Sequence, residues 1–181
     1  LLNEWEFEDT AVSLREFSLR VIDACVGQVG IIKPQVAFYE RHGAKGMEAL
    51  EYIIRRGRDA GLLVISDCKR GDIGSTMEAY AQSWLTPGWG LESDAITASP
   101  YLGSGALSQT VDYALANNKG VFILAATSNP EAAVLQSATV SRPPRRQNCC
   151  CRNIERCGTV GNAGKASKLC WCRFGCNFGS A

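Results

Sequence analysis

The sequence predicts an α/β protein with a parallel sheet, because short apolar segments alternate with longer segments of helical periodicity. Strands are expected near residues 29–33, 62–67, 94–99 and 120–125, with helical segments of about 10 to 15 residues between them. Polar and turn-forming residues follow each strand. Because functional groups at the C-terminal ends of successive strands are typical of a (β/α)8 barrel, we favour that fold over an open doubly wound sheet.

The number of strands limits the prediction to part of a barrel. A closed barrel needs eight strands and typically about 250 residues, whereas this chain has 181 residues and offers four strands. Apolar residues make up 46% of the sequence, which is ample for one core. We therefore expect residues 1–139 to form one domain, a partial (β/α)8 TIM barrel with about four of its eight strands.

The first βα units are recognised from periodicity and from residues that stop strands. Ser13 and Glu16 have the spacing of a capping box at the start of the first helix. The first strand is expected to end at Lys33, because Pro34 cannot continue a central ladder. Inward-facing positions of the two helices repeat at helical spacing: Leu14, Phe17, Val21 and Ala24 in the first, then Met47, Leu50 and Ile54 in the second.

The second predicted strand ends abruptly in charged residues. Its apolar run, residues 62–65, indicates a strand buried on both faces. Side chains alternate along a strand, so Asp67 and Lys69 are expected to share one face. Asp72 follows at the turn and, with Ser75 and Glu78, predicts the start of a helix. The apolar stripe of that helix is Met77, Tyr80, Ala81 and Trp84.

Composition excludes several classes of partner. With 19 basic and 18 acidic residues, the formal charge of +1 provides no bulk attraction to nucleic acid or to a membrane surface. An anionic substrate must therefore be held by local charges. No apolar run approaches the roughly 18 residues that a membrane span needs, and no signal peptide is evident, so the cytoplasm is the expected location.

The last 40 residues differ in composition from the rest. Seven of the nine cysteines lie there, among arginines and glycines without apolar alternation or a helical stripe. We expect residues 140–181 to form an irregular tail, and our hypothesis is that it is an out-of-frame translation. The alternative is a zinc-binding or disulfide-rich tail. Zinc sites usually show paired Cys-x2-Cys spacing, whereas this tail offers Cys170, Cys172 and Cys176 without histidine, and a cytosolic setting disfavours disulfides.

The charged segment after the second strand resembles the signature of one enzyme family. This segment is similar to the signature of the orotidine 5'-phosphate decarboxylases, in the form that their type 2 branch has. It reads Asp67-x-Lys69-x-x-Asp72-Ile73, continued by Gly74-Ser75-Thr76. Residues 31–40, 99–103 and 124–130 agree with the same family in order and spacing. The resemblance extends from about Trp5 to about Thr139.

The resemblance implies a catalytic group of four charged residues. Lys69 matches the proton donor of the family, and Asp67 matches the carboxylate that lies beside the carboxylate of the substrate. Lys33 matches the lysine that balances Asp67 and reaches the ribose. Asp72 matches a residue that crosses a dimer interface into the neighbouring site. The implied substrate-binding residues are Ile73, Thr76 and Ser128.

The implied activity is the conversion of orotidine 5'-phosphate to UMP and CO2 in pyrimidine biosynthesis, without a metal or an organic cofactor. The implied assembly is a homodimer in which Asp72 and Thr76 reach the neighbouring site. The family's late phosphate-binding loops have no counterpart in the matched segments. Two alternatives stay open: a catalytically inactive barrel fragment that only associates, and a magnesium-dependent sugar-phosphate decarboxylase or aldolase of the same superfamily, for which Glu40 is a weak candidate ligand.

Overall fold

The computed structural model describes residues 3–5, 7–138, 157–159 and 168–172. Helices and strands alternate along the chain, as the sequence predicts. The elements, in order, are a 3-10 turn at Asn3–Trp5, α1 Ala11–Cys25, β1 Ile31–Ile32, α2 Ala37–Glu40, α3 Gly43–Asp59, β2 Leu63–Arg70, α4 Gly74–Leu85, β3 Ala95–Ala98, a 3-10 turn at Ser104–Leu107, α5 Ser108–Ala116, β4 Gly120–Ala126, a 3-10 turn at Pro130–Ala132, α6 Ala133–Gln136, β5 Cys157–Thr159 and β6 Lys168–Cys172.

The chain divides into two compact units. The first comprises Leu1–Cys68 and Gln82–Ile96, and the second comprises Lys69–Ala81 and Thr97–Ala181. Strands β2 and β3 therefore each contribute residues to both units. The four expected strands are present as β1 to β4, helices alternate with them, and β1 pairs in parallel with β2, which confirms the predicted α/β class.

In the first unit, α3 covers one face of β1 and β2. The two strands pair in parallel, with Ile32 opposite Val64. Gly57 of α3 lies against both residues, since a Cβ atom there would lie 2.9 Å from Ile32 Cδ1 and 3.2 Å from Val64 Cγ2. The glycine thus lets the helix approach the strands closely, and the largest side chains of α3 are buried there: Leu50, Ile53 and Ile54.

The opposite face of these strands is more open than the sequence predicts. Ile31 is 52% exposed and Leu63 is 50% exposed, so the expectation that the second strand is buried on both faces is wrong for Leu63. Among the described residues of the first unit, α3 packs against the Val64 face, and Leu63 points to the other side of the strand.

The start of β3 is joined to the rest of the first unit by charged groups. Asp94 Oδ2 accepts a hydrogen bond from Val64 N at 2.8 Å, and Asp94 N donates to Val64 O at 2.9 Å. Arg58, at the end of α3, lies 2.7 Å from Glu92 Oε1 and 3.6 Å from Asp94 Oδ1. The hydrogen bond with Glu92 raises the pKa of Arg58, so this guanidinium is a structural cation.

In the second unit, the ends of β2 and β3 are followed across the sheet by β4, β6 and β5. Strand β6 pairs antiparallel with β4 and with β5. Helix α5 packs against β4, with Leu107, Ala114 and Val121 fully buried. Two short stretches of the cysteine-rich tail are thus strands. The rest of that tail lies outside the described residues, so its irregular character and the division into residues 1–139 and 140–181 stay predictions.

The helix starts show where local pattern was misleading. Thr10, not Ser13, caps α1, because Thr10 Oγ1 accepts a hydrogen bond from Ser13 N at 3.2 Å. Helix α4 begins at Gly74, two residues after Asp72. Of its expected stripe, Met77, Ala81 and Trp84 are buried, whereas Tyr80 is half-buried. No helix among the described residues is both long and apolar enough to cross a membrane.

The core of the first unit can be tested at Leu50, which is fully buried. We expect Leu50→Ala to lower the free energy of unfolding by about 2 to 5 kcal/mol, because it removes buried methyl groups and leaves a cavity. Leu135→Ala is the matched control, since Leu135 is largely exposed and should cost less than about 0.5 kcal/mol. Equal losses in urea denaturation would contradict this packing.

Candidate active site

A buried carboxylate and a half-exposed ammonium meet at the ends of β1 and β2. Lys33 Nζ donates a hydrogen bond to Asp67 Oδ2 at 2.5 Å. The Asp67 side chain is 8% exposed, whereas that of Lys33 is 51% exposed. Transfer of a carboxylate out of water is costly unless a partner compensates its charge. Lys33 therefore provides the compensating charge for Asp67 at this strand edge, and its ammonium remains accessible to a ligand.

Backbone pairing fixes the position of this ion pair. Past the end of β1, Gln35 forms a parallel bridge with Asp67. Asp67 N donates to Pro34 O at 3.0 Å, and Val36 N donates to Asp67 O at 3.4 Å. Both backbone groups of Asp67 are thus held by the segment that carries Lys33. The register of β1 and β2, rather than the two flexible side chains alone, brings the charges together.

Lys69 occupies a backbone conformation that the sequence did not predict. Its φ is 50°, in the left-handed region, which costs a residue with a Cβ atom roughly 1 to 2 kcal/mol. The alternation argument for Asp67 and Lys69 assumed extended backbone, and this residue departs from it, so a shared face stays a prediction. The Lys69 side chain is exposed, and its backbone N donates to Thr97 Oγ1 at 2.9 Å in the second unit.

The turn after β2 carries three more of the expected site residues. Asp72 is half-buried, and its Oδ1 accepts a hydrogen bond from Ile73 N at 2.8 Å. Ile73 is largely exposed although it is apolar, and Thr76 is exposed in the first turn of α4. Asp72 thus orders the backbone at the entry to the helix.

Ser128 lies exposed in the turn that follows β4. The base of the turn is held by side chains that the sequence reasoning missed. Thr127 N donates to Gln136 Oε1 at 2.8 Å, and Gln136 Nε2 donates to Thr127 Oγ1 at 3.0 Å. Asn129 Oδ1 accepts from Thr127 Oγ1 at 2.5 Å. A glutamine nine positions away has no short-range pattern by which it could have been found.

The structure thus brings Lys33 and Asp67 together within the first unit. In the second unit it places Lys69, Asp72, Ile73 and Thr76 on one continuous segment, and Ser128 in the turn after β4. The roles of all seven residues stay predictions. Over the described ranges there is no group of three or more His, Cys, Asp or Glu side chains suited to a metal ion.

The ion pair can be tested by a double-mutant cycle on stability. We expect Lys33→Met to lower the free energy of unfolding by about 1 to 3 kcal/mol, because it leaves the buried Asp67 carboxylate without its cation. Addition of Asp67→Asn should recover part of that loss. Arg20→Met is the control, since it breaks the exposed pair with Glu16 and should cost less than about 1 kcal/mol. Equal losses of stability in Lys33→Met and Arg20→Met would contradict the buried pair.

Known proteins are similar in sequence to this chain over about three quarters of its length. The chain is 54% identical over 139 residues to an orotidine 5'-phosphate decarboxylase of Corynebacterium efficiens, a match that covers 77% of this chain and 50% of the relative. It is 49% identical over 138 residues to the enzyme of the same name from Streptomyces coelicolor, with 76% and 50% covered. The chain spans about half the length of the curated relatives it matches.

Solved structures and a family model agree with these relatives. A Streptomyces avermitilis protein assigned as an orotidine 5'-phosphate decarboxylase superposes with a TM-score of 0.77 at 42% identity, over 84% of this chain and 53% of that one. The Leishmania donovani OMP decarboxylase gives 0.65 at 40% identity, over 73% and 50%. The predicted partial (β/α)8 barrel is thereby confirmed. Since the family model for orotidine 5'-phosphate decarboxylase / HUMPS matches residues 12–152, the chain belongs to that family.

Proposed function

We propose that this chain carries the decarboxylation chemistry of an orotidine 5'-phosphate decarboxylase of the type 2 branch, which converts orotidine 5'-phosphate to UMP and CO2 in pyrimidine biosynthesis in the cytoplasm. The observation that carries the proposal is the 2.5 Å pair of Lys33 and the buried Asp67. It lies at the strand edge where the family signature begins. Family membership and the names of the relatives give it further support.

The reaction determines what the protein must supply. Loss of CO2 leaves a carbanion at C6 of the pyrimidine, with no carbonyl placed to delocalise it and no cofactor to accept its electrons. Fixed charges and a proton donor must therefore do this work. We assign the proton donor to Lys69, whose ammonium can stabilise the developing negative charge and then protonate C6.

Asp67 supplies the negative charge that repels the carboxylate of the substrate. Its carboxylate is buried beside Lys33 Nζ. The backbone N and O of Asp67 are hydrogen-bonded to Pro34 and Val36, so the backbone that carries this carboxylate is fixed when an anionic substrate binds. Crowding of this carboxylate against that of the substrate raises the energy of the bound state, and departure of CO2 relieves it. Lys33 would balance the charge of Asp67, and its accessible ammonium would contact the ribose.

The remaining assignments complete the substrate site. Ser128, exposed in the turn after β4, would hydrogen-bond the pyrimidine edge, and Ile73 would line the pocket. Asp72 and Thr76 would reach the site of a second subunit in a homodimer. Support for the homodimer comes from the match of Asp72 and Thr76 to the family signature.

A second candidate function is association without catalysis. It is favoured by the exposed face of Ile31 and Leu63 in the first unit. The family's phosphate-binding loops are not among the matched segments. Because binding energy from the remote phosphate lowers the barrier at the reacting carbon, we expect turnover by this chain to be well below that of full-length relatives.

Decarboxylation of orotidine 5'-phosphate, followed by ultraviolet absorbance, separates the two candidates. We expect slow turnover by the chain and a loss of about 10²- to 10⁴-fold in Lys69→Ala, since that is the usual contribution of a positioned proton donor. Lys45→Ala, which changes an exposed lysine of α3, is the matched control and should turn over as fast as the unaltered chain. EDTA should have no effect.

Three outcomes would contradict the proposed chemistry. Turnover that persists in Lys69→Ala would show that another group donates the proton. A folded, soluble chain without any turnover would support association as its function. Activity abolished by EDTA and restored by magnesium would instead favour the metal-dependent sugar-phosphate enzymes.

A further inference from the structure

We propose that Thr97 is a positioning residue, whose hydroxyl holds Lys69 in the left-handed conformation that aims its ammonium at the substrate. The proposal rests on the proposed function and adds to it a residue outside the family signature. The carrying contact is the 2.9 Å hydrogen bond from Lys69 N to Thr97 Oγ1. Thr97 lies in β3, is 3% exposed, and belongs to the same unit as Lys69.

The conformation of Lys69 requires such support. Among the described residues only Lys69 and Asn118 combine a Cβ atom with positive φ. Asparagine visits this region readily because its short polar side chain bonds the local backbone, and lysine has no such compensation. A strained residue persists only where its surroundings over-determine it, and such residues concentrate at functional sites.

The end of β3 holds three successive residues of the segment that includes Lys69. Besides the Thr97 contact, Ser99 N donates to Arg70 O at 2.8 Å. Gly71 passes so close that a Cβ atom there would lie 2.5 Å from Ser99 O. The Arg70 contact is made by the backbone of Ser99, and the atom nearest to the Cβ position of Gly71 is also a backbone oxygen of Ser99. The Thr97 contact is made by a side chain, so it can be removed while the backbone contacts stay.

This geometry separates positioning from binding. Without Oγ1, the Lys69 amide loses its hydrogen bond to Thr97, and we expect the residue to relax toward negative φ. The ammonium would then move relative to C6, whereas the groups assigned to hold the substrate would be unaltered. A displacement of about 1 Å in a reacting group can cost about 10²-fold in rate. The loss should therefore appear in kcat rather than in KM.

The second unit offers a matched control for the substitution. Thr110 is 1% exposed, like Thr97, and its Oγ1 has no hydrogen-bond partner among the described residues. Thr97→Val and Thr110→Val each replace a buried hydroxyl group by a methyl group. Only the first removes a hydrogen bond to Lys69. Thr97→Ser keeps the oxygen and serves as the rescuing variant.

The experiment measures all three variants and the unaltered full chain in two ways. Amide hydrogen exchange of Lys69, read by NMR, reports the contact without any need for turnover. Orotidine 5'-phosphate decarboxylation gives kcat and KM. We expect Thr97→Val to accelerate Lys69 exchange at least about tenfold and to lower kcat at least about tenfold, with KM within about twofold. Thr97→Ser and Thr110→Val should resemble the unaltered chain in both measurements.

Each contrary result has a definite meaning. Unchanged Lys69 exchange in Thr97→Val would overturn the proposal, and so would faster exchange with unchanged kcat. If the unaltered chain shows no turnover, the proposed function fails, and exchange alone decides whether Thr97 holds Lys69. If Thr97→Val does not fold, Thr97→Ala removes the same oxygen, and the same outcomes apply.

Discussion

The burial of the Asp67 carboxylate is the constraint on which the candidate site depends. A carboxylate at this depth is stable only if a nearby cation compensates its charge. Lys33 supplies the charge, and the parallel register of β1 and β2 brings it there. The register in turn depends on α3, whose Gly57 lets Ile32 and Val64 pack against the helix. Helix packing and site electrostatics are therefore parts of one arrangement in the first unit.

In the second unit, the candidate site depends on the backbone conformation of Lys69. A strand that simply continued past Asp67 would carry its side chains in alternation, and the left-handed φ of Lys69 interrupts this pattern. The interruption places an exposed ammonium at the turn into α4, where Asp72 orders the backbone. Strain at this point is offset by contacts with the end of β3. Under the proposed function, these contacts with β3 would keep Lys69 oriented as the proton donor.

Much of this architecture could be predicted from the sequence, because strands and helices were set by apolar periodicity. The four strands and the buried stripe of α4 follow from patterns within about ten residues. The pairing of Lys33 with Asp67, 34 positions apart, was implied by the family resemblance and is found in the structure. Their meeting at one sheet edge also follows from the parallel order of the strands.

What could not be predicted depends on tertiary contacts that leave no local pattern. The spacing of Ser13 and Glu16 suggested a capping box, yet Thr10 lies just before α1 and takes that role. Lysine has no preference for positive φ, so nothing in the residues around Lys69 indicated its conformation. Its partner Thr97 looks like any β-branched residue of a strand. The open face at Leu63 depends on what packs against it, which periodicity does not specify.

The most direct test of the account is a comparison of ligand affinities by calorimetry in the non-reacting Lys69→Ala background. If the buried Asp67 carboxylate crowds the carboxylate of orotidine 5'-phosphate, Asp67→Asn should tighten binding of that ligand relative to UMP, which lacks the group, by about tenfold, or 1.4 kcal/mol. Asp23→Asn, at an exposed site, should leave the ratio of the two dissociation constants unchanged. An unchanged ratio in Asp67→Asn would contradict the central role given to this carboxylate.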